Sequence, residues 1–233
     1  MSAGNGPLLA IDSSTRAAYV ALWAGGRTVA EQTVAAASNA SSALLPAVDA
    51  ALRDAGLAPA DLGGLVVGGG PGSFTGLRIA AATAKGMVHA LRVPLFAYSG
   101  LMAAAAAQGV FGLPVCALFD ARNREVFAGA WRFGEDGGVE EVLPITALRV
   151  DDLRERLGGE VHFCGEGAVQ YADDLRAAFG PGAVLGDDAS LAAGLLWLAR
   201  NAPDGGRVAD AAAWEPEYVR AAGVERIAAA RAG

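Results

Sequence analysis

The feature that most constrains the fold of this 233-residue chain is an internal repeat. The segment Ala10–Trp23 resembles the segment Leu118–Trp131, since each has an apolar run, an aspartate, a short polar turn and a second apolar run that ends in tryptophan. At one constant offset, Asp12 falls on Asp120 and the two terminal tryptophans coincide. A similar order of predicted elements follows each segment, so we interpret the repeat as a duplication.

Hydrophobic periodicity predicts the elements of both copies. In the first copy, strands are expected at residues 8–11, 17–23, 28–34, 65–67 and 93–97, and helices at residues 41–55, 75–91 and 100–108, the first capped by Ser41 or Ser42. In the second copy, the repeated hairpin is followed by strands at residues 139–142 and 161–164 and by helices at residues 151–157 and 165–179. The order β-β-β-α-β-α, with mixed sheets covered by helices, is typical of the actin-like (ribonuclease H-like) superfamily of sugar kinases and Hsp70 ATPases. We therefore expect an α/β protein with a first lobe at residues 1–108 and a second at residues 109–233, whose C-terminal tail is able to pack back on the first lobe.

Composition indicates a globular protein that does not bind nucleic acid by itself. With 53% hydrophobic residues and 32 glycines the chain can bury a sizeable core, while a formal net charge of −7 disfavours contact with phosphate. Cys116 and Cys164 each lie in an apolar run, which favours buried free thiols in a reducing compartment. The start of the sequence lacks the basic and apolar segments of a signal peptide, and no run is long enough to span a bilayer, so we expect a cytoplasmic protein.

The repeat raises the question of a nucleotide site. In the actin-like superfamily ATP binds between the lobes, and the turns that contact phosphate and metal follow the first strand of each copy, where Asp12 and Asp120 stand. Neither turn contains a glycine, although close approach to phosphate favours it. The two aspartates could equally accept hydrogen bonds from their own turns. The sequence GEGA at residues 165–168 resembles the adenosine-contacting turn of the superfamily, so Gly165 and Gly167 are further candidate contacts and partner-dependent nucleotide binding stays open.

The stretch GGGPGSFTG, residues 68–76, lies between a predicted strand and a predicted helix. Its glycine spacing matches neither the P-loop nor the dinucleotide-binding pattern. Ser73 or Thr75 would cap the helix. The stretch could hold an anion at Ser73, Thr75 and Arg78, or it could be a rigid turn that presents Phe74 to a partner, and we favour the rigid turn.

No motif for independent chemistry is present in the sequence. The two histidines, His89 and His162, lack metal-ligand spacing, and there is no C-x-x-C pair. Ser73 does not lie in a G-x-S-x-G nucleophile elbow. We expect no protein-built metal site, no catalytic residues and no tightly bound cofactor.

The residues GPGSFTGLRI (70–79) and AKG (84–86) resemble the signature of the TsaB (YeaZ) family. The segments LLAIDSSTRAAYVAL, LLPAVDAAL, DARNREVFAGAW and EPEYVR are also similar to family motifs, so the resemblance spans nearly the whole chain. It implies a non-catalytic scaffold that is required, with the metal-binding paralogue TsaD and the ATPase TsaE, to place a threonylcarbamoyl group on the adenosine beside the anticodon of tRNAs reading codons that begin with A. It also implies that a separate synthase makes the donor and that tRNA is contacted only through the complex. Whether ATP or ADP binds at the complex interface stays open.

Two helices of the first lobe are the predicted partner surface, which would pair with TsaD, or with a second copy when TsaD is absent. The second of these helices is rich in small residues, which let another helix approach closely. The predicted contacts are Leu44, Leu45, Val48, Phe74, Ala80, Ala84, Met87 and Val88. The alternative is that both helices only cover the first sheet. The rival functions are a stand-alone actin-like ATPase or phosphotransferase, which needs both aspartates on a metal, and a metallopeptidase, whose ligands the sequence lacks.

Overall fold

The computed structural model describes residues 6–35, 40–122, 124–186 and 189–218 of the chain. In the first half, the strands are β1 (Leu8–Asp12), β2 (Ala17–Ala24), β3 (Arg27–Ala35), β4 (Gly64–Gly68) and β5 (Leu95–Tyr98), and the helices are α1 (Ala40–Asp54), α2 (Phe74–Leu91) and α3 (Gly100–Ala106). In the second half, the strands are β6 (Pro114–Arg122), β7 (Glu125–Phe133), β8 (Val139–Arg149), β9 (Val161–Cys164) and β10 (Ala183–Leu185). The helices of this half are α4 (Leu153–Arg156), α5 (Glu166–Gln170), α6 (Ala172–Phe179), α7 (Leu191–Asn201) and α8 (Pro203–Gly206).

Each half forms a five-stranded mixed sheet of the same topology. The strand order is β3-β2-β1-β4-β5 in the first sheet and β8-β7-β6-β9-β10 in the second. β1 pairs antiparallel with β2 and parallel with β4, and β6 pairs in the same way with β7 and β9. This shared order confirms the predicted duplication and the predicted actin-like α/β fold class.

The first hairpin shows why the local sequence forms this structure. Gly25 and Gly26 join β2 to β3 with φ angles of 58° and 86°, a left-handed conformation that glycine adopts without steric cost. The hairpin predicted around these glycines is therefore confirmed. β1, which it follows, is buried along all five of its residues, because sheet neighbours flank it on both sides and helices cover both faces.

The helices and sheets stack in five layers. α1 and α2 cover the outer face of the first sheet, where Leu44 and Ala80 pack with Ile11. The outer face of the second sheet is covered by α4, α5 and α6. α3 and α7 lie between the sheets, and their Leu101 and Leu195 belong to the core that joins the two halves. The two halves therefore share one apolar layer, in which α7 from the second half packs on β1, β2 and β4 of the first sheet.

After α8 the chain returns to the first sheet, and we call residues 207–218 the C-terminal strap. Arg207 forms an isolated antiparallel bridge with Phe96. The backbone N–H of Val208 donates to the carbonyl of Leu95 at 3.0 Å, and that of Glu217 donates to the carbonyl of Gly69 at 2.7 Å. The strap thus contacts both β5 and the glycine-rich stretch. The lobe boundary at residue 108 stays a prediction.

Several details differ from the expectations. The strand predicted at residues 139–142 continues to Arg149, and the helix predicted at residues 151–157 is limited to a 3-10 turn at residues 150–152 followed by α4. α1 begins at Ala40, so Ser41 and Ser42 lie in its first turn and the predicted cap is wrong. Ser73 caps α2 and accepts a hydrogen bond from the Gly76 N–H, whereas Thr75 lies inside the helix. The predicted helix at residues 165–179 is divided at Tyr171 into α5 and α6. Within the described residues, no helix is both long and apolar enough to cross a membrane.

Candidate functional site

The turn after β1 is fixed by the buried carboxylate of Asp12. One oxygen, Oδ1, accepts hydrogen bonds from the backbone N–H and the hydroxyl of Ser14, both at 2.8 Å. The other oxygen, Oδ2, has no hydrogen-bond partner among the described residues, although the residue is 0% exposed. Burial therefore raises the pKa of Asp12 to about 6, an effect that the hydrogen bonds from Ser14 only partly offset.

The glycine-rich stretch packs directly on this turn. A Cβ atom added to Gly68 would overlap Oδ2 of Asp12, one added to Gly76 would overlap the carbonyl oxygen of Ser13, and one added to Gly72 would lie 2.5 Å from the carbonyl oxygen of Ser14. The Ser13 hydroxyl donates to the Gly76 carbonyl at 2.8 Å. Three glycines, spaced four residues apart, are thus required for close contact with the turn at residues 12–14, Gly68 with the Asp12 carboxylate and Gly72 and Gly76 with backbone carbonyls. This contact is a physical reason for the glycines that involves no phosphate.

In the second half, Phe119 rather than Asp120 takes the position of Asp12. Asp12 pairs with Tyr19 across its hairpin, and Phe119 pairs in the same way with Phe127. The second strands of the two hairpins therefore align as predicted, but the first strands are shifted by one residue, and the ladder of the second hairpin is irregular between Asp120 and Arg122. The expectation that Asp120 is the counterpart of Asp12 is wrong.

Asp120 lies one residue beyond that position and is half-buried. Its Oδ1 accepts a hydrogen bond from the backbone N–H of Arg122 at 2.9 Å. Each aspartate therefore accepts a hydrogen bond from the backbone N–H two residues ahead in its own turn. This is the alternative to a phosphate or metal contact that the sequence left open for both residues.

The Phe119 ring closes the space between the halves at this point. It is 3% exposed, and Cβ atoms added to Gly100 and Gly165 would lie 3.4 Å and 3.3 Å from ring atoms of Phe119. Gly165 and Gly167 pack on β6, because an added Cβ would lie 2.7 Å from the Leu118 carbonyl oxygen for the former and 2.9 Å from its carbonyl carbon for the latter. The segment that resembled an adenosine turn therefore supports strand β6.

Two cavities lie between the halves, on either side of an ion pair between Arg16 and Glu166 (Nε to Oε2, 3.3 Å). The larger, of about 650 Å³, is lined by three of the predicted anion contacts, Ser73, Thr75 and Asp120, together with Arg16 and Arg122. The smaller, of about 570 Å³, is lined by Gly165 and by the apolar side chains of Tyr19, Phe119, Val169 and Leu191. Asp12, Arg78 and Gly167 line neither cavity. The structure thus brings together three of the seven predicted contacts.

The predicted partner residues divide into buried and accessible ones. Leu44, Ala80 and Ala84 are 0% exposed in the core that covers the first sheet, so they cannot contact a partner and their assignment is corrected. Val48 is 4% exposed and largely buried in the same core. Leu45 and Phe74 are 56% and 55% exposed. Met87 and Val88 are half-buried.

A shallow apolar groove of about 280 Å³ separates α1 from α2, and we call it the α1–α2 groove. It is lined by Leu45, Val48, Asp49, Leu52, Pro59, Met87, Ala90 and Leu91. Among the described residues, no group of three His, Cys, Asp or Glu side chains is placed to hold a metal ion.

Comparison with known proteins agrees with the geometry. Residues 30–158 match the family model "TsaD: tRNA N6-adenosine threonylcarbamoyltransferase". The chain is 32% identical over 173 residues to the Escherichia coli protein named "tRNA threonylcarbamoyladenosine biosynthesis protein TsaB", a match that covers 71% of this chain and 74% of that protein. The chain belongs to the TsaB (YeaZ) family. The Bacillus subtilis protein of the same name is 35% identical over 64% of this chain, and the match covers 65% of that relative, just under two thirds of its length.

A solved structure of the family extends the comparison to nearly the whole chain. YeaZ from Pseudomonas aeruginosa superposes with a TM-score of 0.75 at 31% identity, covering 94% of this chain and all of that one. The fold described above is thus similar to that of this relative over nearly its whole length.

Two features of the site were missed by sequence reasoning. One is the role of Phe119, which the one-residue shift in β6 conceals. The other is the ring contact between Phe74 and Tyr218, whose centroids lie 5.1 Å apart. The exposed aromatic residue in the EPEYVR segment was a signal for the second, but its partner lies more than a hundred residues away along the chain.

Proposed function

We propose that this chain is a non-catalytic subunit in tRNA threonylcarbamoyladenosine biosynthesis. In this role it is required, together with a TsaD-type paralogue and the ATPase TsaE, for transfer of the threonylcarbamoyl group to the adenosine next to the anticodon of tRNAs that read codons beginning with A. The names of the relatives supply the process. The single observation that carries the non-catalytic role is that Phe119, and not a carboxylate, takes the position in the second half that is equivalent to Asp12.

This position of Phe119 has a direct chemical consequence. A magnesium–nucleotide site of the actin-like kind needs oxygen ligands and phosphate-binding N–H groups that face the cleft. Here Asp12 lines neither cavity and its turn is packed against glycines, while the Phe119 ring occupies the corresponding position in the second half. Asp120 and Glu166 do line the larger cavity, but Glu166 is paired with Arg16, and among the described residues no group of three acidic, histidine or cysteine side chains is placed to hold a metal. We therefore infer that any ATP or ADP binds where a partner completes the site.

The α1–α2 groove is the proposed contact with the paralogue, and with a second copy when the paralogue is absent. It combines an exposed leucine of α1, Leu45, with the half-buried Met87 of α2. Exposed apolar surface of this kind marks protein contacts, because a soluble monomer gains nothing from displaying it. Of the predicted set, Leu45, Val48 and Met87 line this groove.

Reconstitution is the experiment that tests the function. Purified TsaD, TsaE and the synthase are incubated with unmodified tRNA, threonine, bicarbonate and ATP, with and without this chain, and threonylcarbamoyladenosine is measured by mass spectrometry of the digested tRNA. Modification that depends on this chain is the expected result. Equal modification in its absence contradicts the proposal.

The surface is tested with matched charge insertions. Leu45→Arg and Met87→Arg should weaken binding to TsaD at least tenfold, since each places a guanidinium in the apolar groove. The control is Val169→Arg, which alters an apolar side chain that is 65% exposed on the second half. Equal affinity for all three variants and the wild type would exclude the groove.

A further inference from the structure

The two inner helices are exchanged between the halves. α3 follows the last strand of the first sheet along the chain, yet it packs on β6 and β7 of the second sheet. α7 follows the last strand of the second sheet, yet it packs on β1, β2 and β4 of the first. Each half therefore relies on a helix of the other half to cover the inner face of its sheet, and separating the halves would expose apolar surface on both.

The exchanged helices cross at a close glycine contact. A Cβ atom added to Gly194 of α7 would overlap the carbonyl oxygen of Ala103 in α3, and the α3 residues around this point, Ala103–Ala106, are all buried alanines. The neighbours of Gly194 on the same face of α7 are Leu191 and Leu198, which are also buried. Sliding one helix along the other would press a leucine against the α3 backbone, so this crossing resists the shear by which packed helices usually move.

The Phe119 ring resists rotation of the halves at the mouth of the cleft. The ring is 3% exposed and lies between Gly100 of the first half and Gly165 of the second, whose added Cβ atoms would lie 3.4 Å and 3.3 Å from it. Closing the cleft would drive these backbone segments into the ring, and opening it would expose the ring to water. Hinge motion is therefore unfavourable in both directions.

The C-terminal end of α7 is fixed to the first half at two strands. The Tyr98 hydroxyl on β5 donates to the Ala202 carbonyl at 2.9 Å, and a Cβ atom added to Gly206 would overlap the Tyr98 ring. The Arg200 guanidinium lies 3.5 Å from the centre of the Trp23 ring on β2. α7 is thus held along its length, from the glycine crossing to its last turn.

These contacts bear on how the chain moves. Two lobes of one chain move relative to each other by default unless their interface is large and apolar. Here one buried layer combines Phe96 and Leu101 of the first half with Trp131 and Leu195 of the second. We propose that the two halves form one rigid body, so that the space between them keeps its shape whether or not a nucleotide or a protein partner is bound. The chain then holds surfaces of its two halves at a fixed distance, and this inference does not depend on which partner binds.

The distance between the halves is measured by double electron–electron resonance on the full-length chain. Spin labels are placed at the exposed sites Arg53→Cys on α1 and Arg156→Cys on α4, while the native Cys116 and Cys164 are 0% exposed and so protected from labelling. The free chain should give one narrow distance distribution. Its mean should change by less than about 2 Å when magnesium and ATP, or TsaD, are added.

Variants test whether the named contacts are the cause. Gly194→Ala and, separately, Phe119→Ala should broaden the distribution, because each disturbs a contact that joins the halves. Gly86→Ala is the matched control, since it makes the same change in a helix where no atom lies within 4 Å of the added Cβ. Circular dichroism identifies any variant that is not folded, and the wild-type distances test the rigid body without the variants.

Three results would overturn the proposal. A broad distribution in the free wild-type chain excludes a rigid body outright, and a shifted or second distance with nucleotide or TsaD shows that the halves move on binding. Distributions that stay narrow in both folded variants exclude the helix crossing and the ring as the cause. If TsaD does not bind the chain at all, the proposed function fails, and the distances in the free chain, its variants and the chain with nucleotide still decide the rigid body.

Discussion

The buried carboxylate of Asp12 gives the sharpest quantitative prediction, because its burial acts on stability through pH. Its pKa is about 6 in the folded chain, against 3.8 for the free side chain. Each pKa unit corresponds to 1.36 kcal/mol, so holding Asp12 ionised at pH 7 costs the folded state about 3 kcal/mol. Between pH 3.8 and about 6 the folded state binds the proton more tightly than the unfolded state, and the contribution of this group to stability therefore falls as pH rises through that window and is constant above it.

Two substitutions should move this dependence in opposite directions. Asp12→Asn keeps the acceptor for Ser14 and removes the charge, so at pH 7 it should be more stable than the wild type by up to about 3 kcal/mol, and at pH 3.5 the two should be nearly equal. Ser14→Ala removes a hydrogen bond that favours the ionised form, so it should destabilise the chain by about 1.5–3 kcal/mol at pH 7 and by less at pH 4.

The assay is urea unfolding followed by tryptophan fluorescence at pH 3.5, 5, 6 and 7, with the free energy of unfolding plotted as the difference between variant and wild type. Taking the difference removes the contributions of all other titrating groups, which the three proteins share. If the Asp12→Asn difference is flat from pH 3.5 to pH 7, the carboxylate is not desolvated in the way the structure indicates, and the reasoning is refuted.

Three further predictions follow from the packing of the site. Gly76→Ala should destabilise the chain, since its Cβ would overlap the Ser13 carbonyl, whereas Gly86→Ala in the same helix meets no atom within 4 Å and should stabilise it by about 1 kcal/mol; thermal melting of the two variants compares them. Phe119→Ala should cost about 3–5 kcal/mol in urea unfolding, because the ring is buried between the halves. Calorimetry of the isolated chain with magnesium and ATP should show no micromolar binding, and micromolar affinity with turnover would favour the stand-alone ATPase instead.

Most of the fold could be predicted from the sequence because it is set by local pattern. Continuous apolar runs such as residues 8–11 and 65–67 indicate buried strands, and paired glycines indicate the β2–β3 turn. Because the sequence repeat indicates a duplication, the strand order of the second sheet could be predicted from that of the first. Capping was less predictable, since Ser41, Ser42 and Ser73 have the same local propensity, yet Ser73 caps α2 whereas Ser41 and Ser42 lie inside the first turn of α1.

The site was less predictable, because it depends on contacts between distant segments. The glycine-rich stretch could be excluded as a known phosphate loop by its spacing, yet its actual partner, the turn at residues 12–14, lies more than fifty residues earlier. Burial likewise separates Leu44 from Leu45, which are adjacent in the sequence but 0% and 56% exposed. Helical periodicity places both near one face, and only the packing of α1 on the sheet shows which of them reaches solvent.

The position of Phe119 shows why a convincing sequence repeat gave the wrong second carboxylate. Side chains on a strand alternate between faces, so a shift of one residue exchanges the face that each residue presents. Asp12 pairs with Tyr19 in the first hairpin and Phe119 pairs with Phe127 in the second, so the second hairpin has one more residue between its paired positions. The irregular ladder between Asp120 and Arg122 accommodates this extra residue. The aspartates and the tryptophans of the two hairpins therefore cannot both be equivalent. The tryptophans keep their alignment, and both pack in the apolar layer between the sheets. The aspartates are therefore not equivalent, and Phe119, the residue before Asp120, faces the space between the halves.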